Sequence, residues 1–176
     1  AAQSISIPLL FREKGERYLD LIENPQFGYG KNINPCVDCR VFMFQMAKEV
    51  MDEIGASFLV TGEVVGQRPK SQVRANMNLI DRKSPLEGRV LRPLSGAYFP
   101  ATLPEKEGWI RRESLLKVTG RSRKVQFQLA SDLGLTAFTS PGGGCLLTDA
   151  LFAKKLRDFF THSKEASVEE RMAMSE

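Results

Sequence analysis

The residues best suited to chemistry in this 176-residue chain are its three cysteines, Cys36, Cys39 and Cys145. Cys36 and Cys39 form a Cys-x-x-Cys pair directly after Pro35, at a predicted helix start, where free backbone N–H groups and the helix dipole favour a thiolate. Cys145 follows three glycines far along the chain, so only the fold can bring it to the pair. An odd number of cysteines fits a thiol or metal site in a reducing compartment better than a disulfide framework.

Several kinds of site remain open for these thiols. Three thiolates with an open fourth position suit a [4Fe-4S] cluster whose unique iron takes an exogenous ligand, and they also suit a persulfide relay. A four-ligand zinc site lacks its fourth ligand, because the single histidine, His162, is poorly placed to supply it. The Cys-x-x-Cys pair alone could still be a redox pair or half of a zinc site, so zinc stays an alternative to the cluster. Three unrelated free thiols are a further alternative. The lone histidine also argues against a Ser–His–Asp triad.

The charge of the chain is concentrated in its middle. The net charge is +4, yet residues 66–124 hold 14 Lys and Arg against 5 Asp and Glu. Because phosphate contacts from such groups give affinity without sequence choice, this block favours a nucleic-acid face over a merely solvated surface.

Composition limits the class of protein. A chain of 19.7 kDa that is 42% hydrophobic and 26% charged predicts a soluble globular domain whose core needs no disulfides. No apolar run approaches the roughly 18 residues that a membrane span needs, and no cleavable leader is evident. We expect a cytoplasmic protein that does not associate with membranes.

The first half of the chain predicts the elements that position the cysteine pair. Alternating apolar residues predict a strand over residues 4–10, and a turn-rich loop over 24–35 leads into the helix that begins at Cys36 and stops at Gly55. Its predicted buried face is Met43, Met46, Ala47, Val50, Met51 and Ile54.

A short apolar run follows that helix. Residues 57–60 predict a buried strand that ends at Thr61, Gly62 and Glu63. A helix followed by a strand with a polar turn at its carboxyl end is typical of α/β proteins, in which ligands bind at the carboxyl ends of the strands.

Further elements are predicted in the second half. Helices are expected over residues 71–82 and 122–133, and a short strand over 90–94. Ser122 suits the N-cap of the second of these helices and Gly134 its C-terminal stop. Its predicted apolar face is Val125, Leu129, Ala130 and Leu133.

Near the C-terminus, residues 140–145 predict an extended turn before a last helix. Thr148 can cap this helix. Its predicted inner face is Leu151, Phe152, Leu156 and Phe159.

Four short segments in order resemble one family. They are NPCVDC at 34–39, VTGE at 60–63, LRPL at 91–94 and SPGGGCLLT at 140–148. The chain resembles, over about residues 4–160, the tRNA thiouridine synthetases of the tRNA 2-thiouridylase-like branch, which are PP-loop ATPases of the adenine-nucleotide alpha-hydrolase superfamily.

The resemblance implies sulfur transfer to a uridine in tRNA. ATP adenylates the carbonyl oxygen of the uridine, and a sulfur species on a cysteine or cluster displaces AMP. Cys39 and Cys145 look like the catalytic cysteine pair. With Cys36 they look like the variant in which three cysteines hold a [4Fe-4S] cluster.

The resemblance also implies a nucleotide site and an RNA face. Thr61, Gly62 and Glu63 look like the nucleotide-proximal loop, although many members have His where this chain has Glu63, and Gln67 and Arg68 follow in the same cleft. The tRNA phosphates would be contacted by Arg92, Arg111, Arg112, Arg121, Arg123 and Lys124.

One family feature is absent from these residues, the ATP-gripping loop Ser-Gly-Gly-x-Asp-Ser. The glycine-rich run at 142–144 precedes Cys145 and leads into no Lys-Ser/Thr or Asp-Ser, so it is no phosphate cradle. ATP and Mg are therefore expected in the complete protein, and this chain alone is expected to be a poor ATPase.

The resulting prediction is an α/β protein with a Rossmann-like (HUP-type) open, mostly parallel sheet and flanking helices, incomplete at its N-terminus. This domain covers residues 1–162, and residues 163–176 are a charged tail that either extends the last helix or is disordered. The expected partners are tRNA and a sulfur donor, either a protein persulfide or sulfide, and a homodimer is left open. Two alternatives remain: a non-catalytic metal-binding RNA module, and a small-molecule sulfur-handling cluster enzyme, which needs no basic face.

Overall fold

The computed structural model describes residues 2, 5–135, 145–162 and 170, which fall into two compact units. One unit comprises Ala1–Asp38 and Gln128–Glu176, and the other comprises Cys39–Phe127. The α-helices are α1 (Glu16–Glu23), α2 (Cys36–Ile54), α3 (Arg74–Lys83), α4 (Leu103–Lys106), α5 (Lys124–Asp132) and α6 (Ala150–His162). The strands are β1 (Leu59–Val60) and β2 (Val90–Leu91), and short 3-10 turns cover Gly96–Tyr98, Arg112–Ser114 and Leu146–Thr148.

The first unit has a small core between α1, the loop before α2 and the C-terminal helix. Ile33 donates its backbone N–H to the carbonyl of Leu147 at 3.3 Å, which joins two segments that are far apart in sequence. The buried members of this core are Ile22, Ile33, Leu147, Ala153 and Leu156, with Tyr18, Phe152, Phe159 and Phe160 packed against them.

The second unit contains a parallel pair of strands joined through α3. Leu59 lies opposite Val90 and Val60 opposite Leu91, and Thr61 continues the ladder by donating its N–H to the Leu91 carbonyl at 2.9 Å. A parallel pair with an intervening helix agrees with the predicted α/β class. Two strands are too few to establish the Rossmann-like sheet, which stays a prediction.

Several sequence predictions are confirmed. Residues 24–35 form turns and loop, α2 begins at Cys36, and Gly55 follows its end with φ of 69°, a conformation that glycine adopts without cost. The helices expected over 71–82 and 122–133 are α3 and α5, and Gly134 ends α5 in the same way.

Other predictions are wrong for identifiable reasons. In the described part of the strand predicted over 4–10, residues 7–10 form no regular structure. The apolar side chains of Ile7, Leu9 and Leu10 are all more than half exposed, so no described apolar surface covers them. The strand β1 is only partly covered, and Val60 is exposed. The buried side chains of α2 are Val37, Asp38, Val41, Phe42, Phe44 and Met51, whereas Met43 and Ile54 are exposed.

The last two helices also differ from expectation. No residue of α5 is buried. The cap of α6 is Asp149 rather than Thr148, since the Asp149 carboxylate accepts the N–H of Phe152 at 2.8 Å. Leu151, expected on the inner face of α6, is exposed, and Ala153 is buried instead.

Two predicted segments cannot be compared with the structure. Residues 140–144 of the extended turn and, apart from Glu170, residues 163–176 of the tail lie outside the described residues. Within the described part of the chain, no helix is both long and apolar enough to cross a bilayer.

Candidate functional site

The Cys-x-x-Cys pair lies on the first turn of α2, where Asp38 fixes the preceding loop. The Asp38 carboxylate accepts the backbone N–H of Gln26 at 2.7 Å and that of Phe27 at 3.2 Å. Asp38 is buried, and Cys36 and Cys39 on either side of it are half-buried. The loop of residues 24–35 is therefore held onto the start of α2 by a charged acceptor that we did not single out from the sequence.

The residue after Cys39 leads into a buried ion network in the second unit. Arg40 Nε lies 3.1 Å from Glu63 Oε1, and Arg92 Nε donates to Glu63 Oε2 at 3.0 Å. Two further nitrogens of Arg92 donate to Asp81 at 2.8 and 2.7 Å, and the Arg92 guanidinium lies 4.9 Å from the centroid of the Phe99 ring. The Arg40–Glu63–Arg92–Asp81 network thus joins α2, the loop after β1, the end of β2 and α3.

The two central residues of the network, Arg92 and Glu63, hold their charges in the interior. The side chains of Arg92 and Glu63 are 2% and 4% exposed. Burial disfavours the charged guanidinium, but the hydrogen bonds and charges of Asp81 and Glu63 outweigh it and raise the pKa of Arg92 above its ordinary value. Arg92 therefore stays charged and paired, and its role is to hold elements of the fold together.

In the loop after β1, Glu63 is bound by other side chains, whereas the space around Gly62 is open. Thr61 donates its hydroxyl to Glu63 Oε2 at 3.3 Å, and the Glu63 carboxylate is otherwise held by the two arginines. At Gly62, in contrast, a Cβ atom would meet no described heavy atom within 4 Å. Glu63 is thus tied to the protein, whereas the backbone at Gly62 is open to a ligand.

The segment that follows folds back on itself. Gly66 donates its N–H to the Gln72 carbonyl at 2.7 Å, and the side chains of Ser71 and Gln72 are buried. Of the predicted cleft residues, Gln67 is half-buried and Arg68 is exposed.

The six basic residues predicted to contact RNA divide into two groups. Arg92 is buried in the ion network, and Arg112 binds the Glu105 carboxylate at 2.6 Å and the Phe99 carbonyl at 2.7 Å. The other four form no ion pair with any described carboxylate; they are Arg111, Arg121, Arg123 and Lys124. Of these, Arg123 is half-buried and the other three are exposed. The second group can meet an external polyanion without giving up an ion pair to a described carboxylate, whereas Arg92 is buried and Arg112, though 41% exposed, is paired.

Cys145 lies in the first unit and is exposed. It lines a cavity of about 400 Å³ together with Lys14, Tyr18 and Phe152, and Cys36 is not among the lining residues. Among the residues that the structure describes, no group of three or more His, Cys, Asp and Glu side chains could hold a metal ion. The predicted [4Fe-4S] cluster and its zinc alternative therefore both stay predictions.

Sequence reasoning missed three of the residues that organise this site: Asp38, Arg40 and Asp81. A signal for them existed, because each is a charged residue next to or facing an apolar stretch that the fold buries, where a charge needs a partner. The pairing itself is not encoded in local sequence.

Comparison with known proteins gives partial matches. Residues 18–98 match the family described as Thiamine biosynthesis protein (ThiI). The chain is 38% identical over 101 residues to the tRNA sulfurtransferase of Shewanella amazonensis, which is 57% of this chain and 18% of that protein. It is 46% identical over 55 residues to the probable tRNA sulfurtransferase of Halobacterium salinarum, which is 31% of this chain and 13% of that protein.

A third relative is the tRNA sulfurtransferase of Shewanella frigidimarina, 37% identical over 90 residues, or 51% of this chain and 16% of that protein. The chain therefore spans less than a fifth of the length of these relatives. No solved structure matches the chain significantly. These likenesses support a family of the tRNA sulfurtransferase type.

Proposed function

We propose that this chain is part of a tRNA sulfurtransferase that replaces an oxygen of a uridine in tRNA by sulfur. The observation that carries the proposal is the Arg40–Glu63–Arg92–Asp81 network. All four residues lie inside the segment that matches the family, residues 18–98. The network connects three of the segments that carry the resemblance: the cysteine helix, the loop after β1 and the LRPL segment.

Cys39 is the proposed sulfur acceptor. Its thiolate attacks the outer sulfur of a donor persulfide, so that a new S–S bond forms at Cys39 and the donor leaves as a thiol. The terminal sulfur then attacks the uridine carbon whose oxygen ATP has adenylated, and AMP leaves with that oxygen. A second thiol releases the thiouridine by thiol–disulfide exchange and leaves a disulfide that an external dithiol reduces; the resemblance assigns this thiol to Cys145.

The loop after β1 is the proposed nucleotide-proximal element. Gly62 allows a nucleotide to approach the backbone, whereas Glu63 positions Arg40 and Arg92 and keeps its carboxylate away from the reaction. Thr61, Gln67 and Arg68 are proposed to border the same nucleotide, which binds as ATP with Mg. The ATP-gripping loop would come from the rest of the protein or from another chain.

The proposed tRNA contacts are cations that form no ion pair with a described carboxylate. Arg111, Arg121, Arg123 and Lys124 can each bind a phosphate without first breaking an ion pair, whereas we assign Arg92 and Arg112 to internal support. The proposed partners are thus tRNA and a sulfur donor in the cytoplasm. The route through Cys39 requires a protein persulfide, and sulfide would serve only if the predicted cluster carried the sulfur.

The test is deletion of the gene in its host, followed by mass spectrometry of tRNA nucleosides. We expect the loss of one thiouridine, its return with the full coding sequence, and no return with Cys39→Ser. An Asp52→Asn variant, at an exposed site on the same helix, serves as the matched control and restores the nucleoside. An unchanged nucleoside profile after deletion would refute the proposal.

The predicted cluster has its own test. After anaerobic reconstitution with iron and sulfide, a cluster gives a thiolate–iron charge-transfer absorbance that disappears in Cys145→Ser. Bound zinc without iron or labile sulfide would favour the metal-binding alternative.

A further inference from the structure

One cavity in the Cys39–Phe127 unit has none of the residues assigned above to sulfur transfer in its lining. It has a volume of about 370 Å³ and is lined by Leu116, Lys117, Val118, Thr119, Ser122 and Val125. We call it the 116–125 pocket. Its walls combine three aliphatic side chains with two hydroxyls and one ammonium group, and its volume lies in the range of small-ligand sites.

The segment that lines the 116–125 pocket is fixed by backbone hydrogen bonds to other segments of the same unit. Val118 is buried and donates its N–H to the Leu94 carbonyl at 2.8 Å. Thr119 forms a parallel bridge with Val65, and Gly120 donates its N–H to the Val65 carbonyl at 2.8 Å. The pocket is thus a formed feature of the fold.

The chain segment that lines the pocket carries charge of one sign. Residues 114–131 contain no Asp or Glu, and their basic members are Lys117, Arg121, Arg123 and Lys124. None of these four forms an ion pair with a described carboxylate. A largely apolar cavity lined by Lys117, with three more cations next to its lining residues in the chain, fits a ligand that has a flat apolar part and anionic groups next to it.

We propose that the 116–125 pocket binds one unstacked base of a single-stranded RNA segment, while the neighbouring cations bind its phosphates. The choice of RNA rests on the proposed function. Proteins read single-stranded loops and ends by taking splayed bases into pockets, and the hydroxyls of Thr119 and Ser122 can bond the polar edge of a base. A base stacked inside a duplex cannot enter, so the pocket is a selector for unpaired RNA.

Fluorescence anisotropy at fixed salt tests the proposal with the full chain. The probes are a labelled single strand of about twelve nucleotides and a duplex of the same length. We expect the single strand to bind about tenfold more tightly than the duplex. Val125→Ser, which removes an exposed apolar wall and leaves every cation in place, should lose most of that preference with the salt dependence unchanged.

A charge variant separates the two parts of the site. Arg121→Gln with Lys124→Gln should weaken both probes and reduce the slope of log affinity against log salt, by about 0.7 per lost contact on the single strand. Lys155→Gln, on the exposed side of α6, is the matched charge control and should leave both probes unchanged.

The outcomes distinguish the two proposals. If neither RNA binds at low salt, the tRNA proposal and the pocket both fail. If RNA binds but both forms bind equally, or Val125→Ser behaves as the unaltered chain, the pocket proposal alone is refuted. Equal binding of polyglutamate with the same sensitivity to Val125→Ser would also refute it, in favour of an acidic protein partner.

Discussion

Arg92 and Asp81 form a two-pronged ion pair in which two guanidinium nitrogens lie 2.8 and 2.7 Å from the two carboxylate oxygens. The third donor side of the same guanidinium holds Glu63 at 3.0 Å. The planar fork of arginine is the one side chain that can satisfy both acids at once. The conspicuous arginine of the LRPL segment therefore connects elements of the fold instead of facing a polyanion.

Replacing Arg92 should destabilise the chain strongly. Arg92→Gln leaves Asp81 and Glu63 without their common cation, and removing one partner of a buried pair costs about 3–5 kcal/mol in the free energy of unfolding. Urea denaturation measures this cost. Arg82→Gln, at an exposed neighbouring arginine with no ion pair to a described carboxylate, should change it by less than about 0.5 kcal/mol. Equal stability of the two variants would contradict the role given to Arg92.

Local signals in the sequence predicted the helices well. The start of α2 at Cys36, its stop at Gly55 and the end of α5 at Gly134 follow from loop composition and from glycine in the left-handed region. The predicted cap of α6 is wrong by one residue, because Thr148 and Asp149 are both good N-caps. Only the folded backbone shows that the Asp149 carboxylate accepts the N–H of Phe152.

Pairings between residues far apart in the chain could not be predicted from the sequence. Nothing near Arg92 says that its partners are 11 and 29 residues away, and the basic block at 66–124 does not separate paired from unpaired cations. The predicted gathering of Cys36, Cys39 and Cys145 is of the same kind, since it depends on tertiary structure, and it stays a prediction. Residue types thus indicated the chemistry, while the positioning residues emerged only from the fold.

Asp38 should anchor the loop that precedes the cysteine helix. In Asp38→Asn the carboxylate becomes an amide that keeps one acceptor, so a charge-assisted bond to the Gln26 or Phe27 N–H is lost. We expect the free energy of unfolding to fall by about 1.5–3 kcal/mol and these two amide protons to exchange faster. Hydrogen exchange followed by NMR gives both quantities. Unchanged protection of Gln26 and Phe27 would contradict this anchoring.

Ionised Glu105 should contribute to the free energy of unfolding, and this contribution should be lost at acid pH. Burial would raise the pKa of Glu105, but the hydrogen bonds from Thr102 and Arg112 outweigh it and lower that pKa. A folded pKa below the unfolded one adds stability above the usual value of about 4.3, and this stability is lost as pH falls through the folded pKa. Glu105→Gln should therefore cost about 0.5–2 kcal/mol at pH 7 and almost nothing at the acid end.

Chemical denaturation across this pH range measures the effect. Glu107→Gln, at an exposed acid of the same segment, should run parallel to the unaltered chain. A difference between Glu105→Gln and the unaltered chain that persists undiminished in acid would show that the carboxylate charge contributes nothing.

Gly96 and Gly62 allow a packing role of glycine to be distinguished from a ligand-binding role. At Gly96 a Cβ would lie 2.7 Å from Leu115 Cδ1, so Gly96→Ala should destabilise the second unit by about 1–3 kcal/mol. At Gly62 the backbone φ is not in the left-handed region and no described atom lies within 4 Å of a Cβ, so Gly62→Ala should unfold like the unaltered chain. Neither conformation nor packing requires glycine at position 62.

The nucleotide role proposed for the loop after β1 would use the close approach to the backbone that glycine permits. In the full-length protein, Gly62→Ala should therefore weaken the binding of ATP with Mg by tenfold or more, measured by calorimetric titration, at unchanged stability. Gly96→Ala should show the reverse pattern, with reduced stability and unchanged nucleotide affinity in the folded protein. If Gly62→Ala binds ATP with Mg as tightly as the unaltered protein, the loop after β1 does not contact the nucleotide, and the adenylation site must be assigned elsewhere.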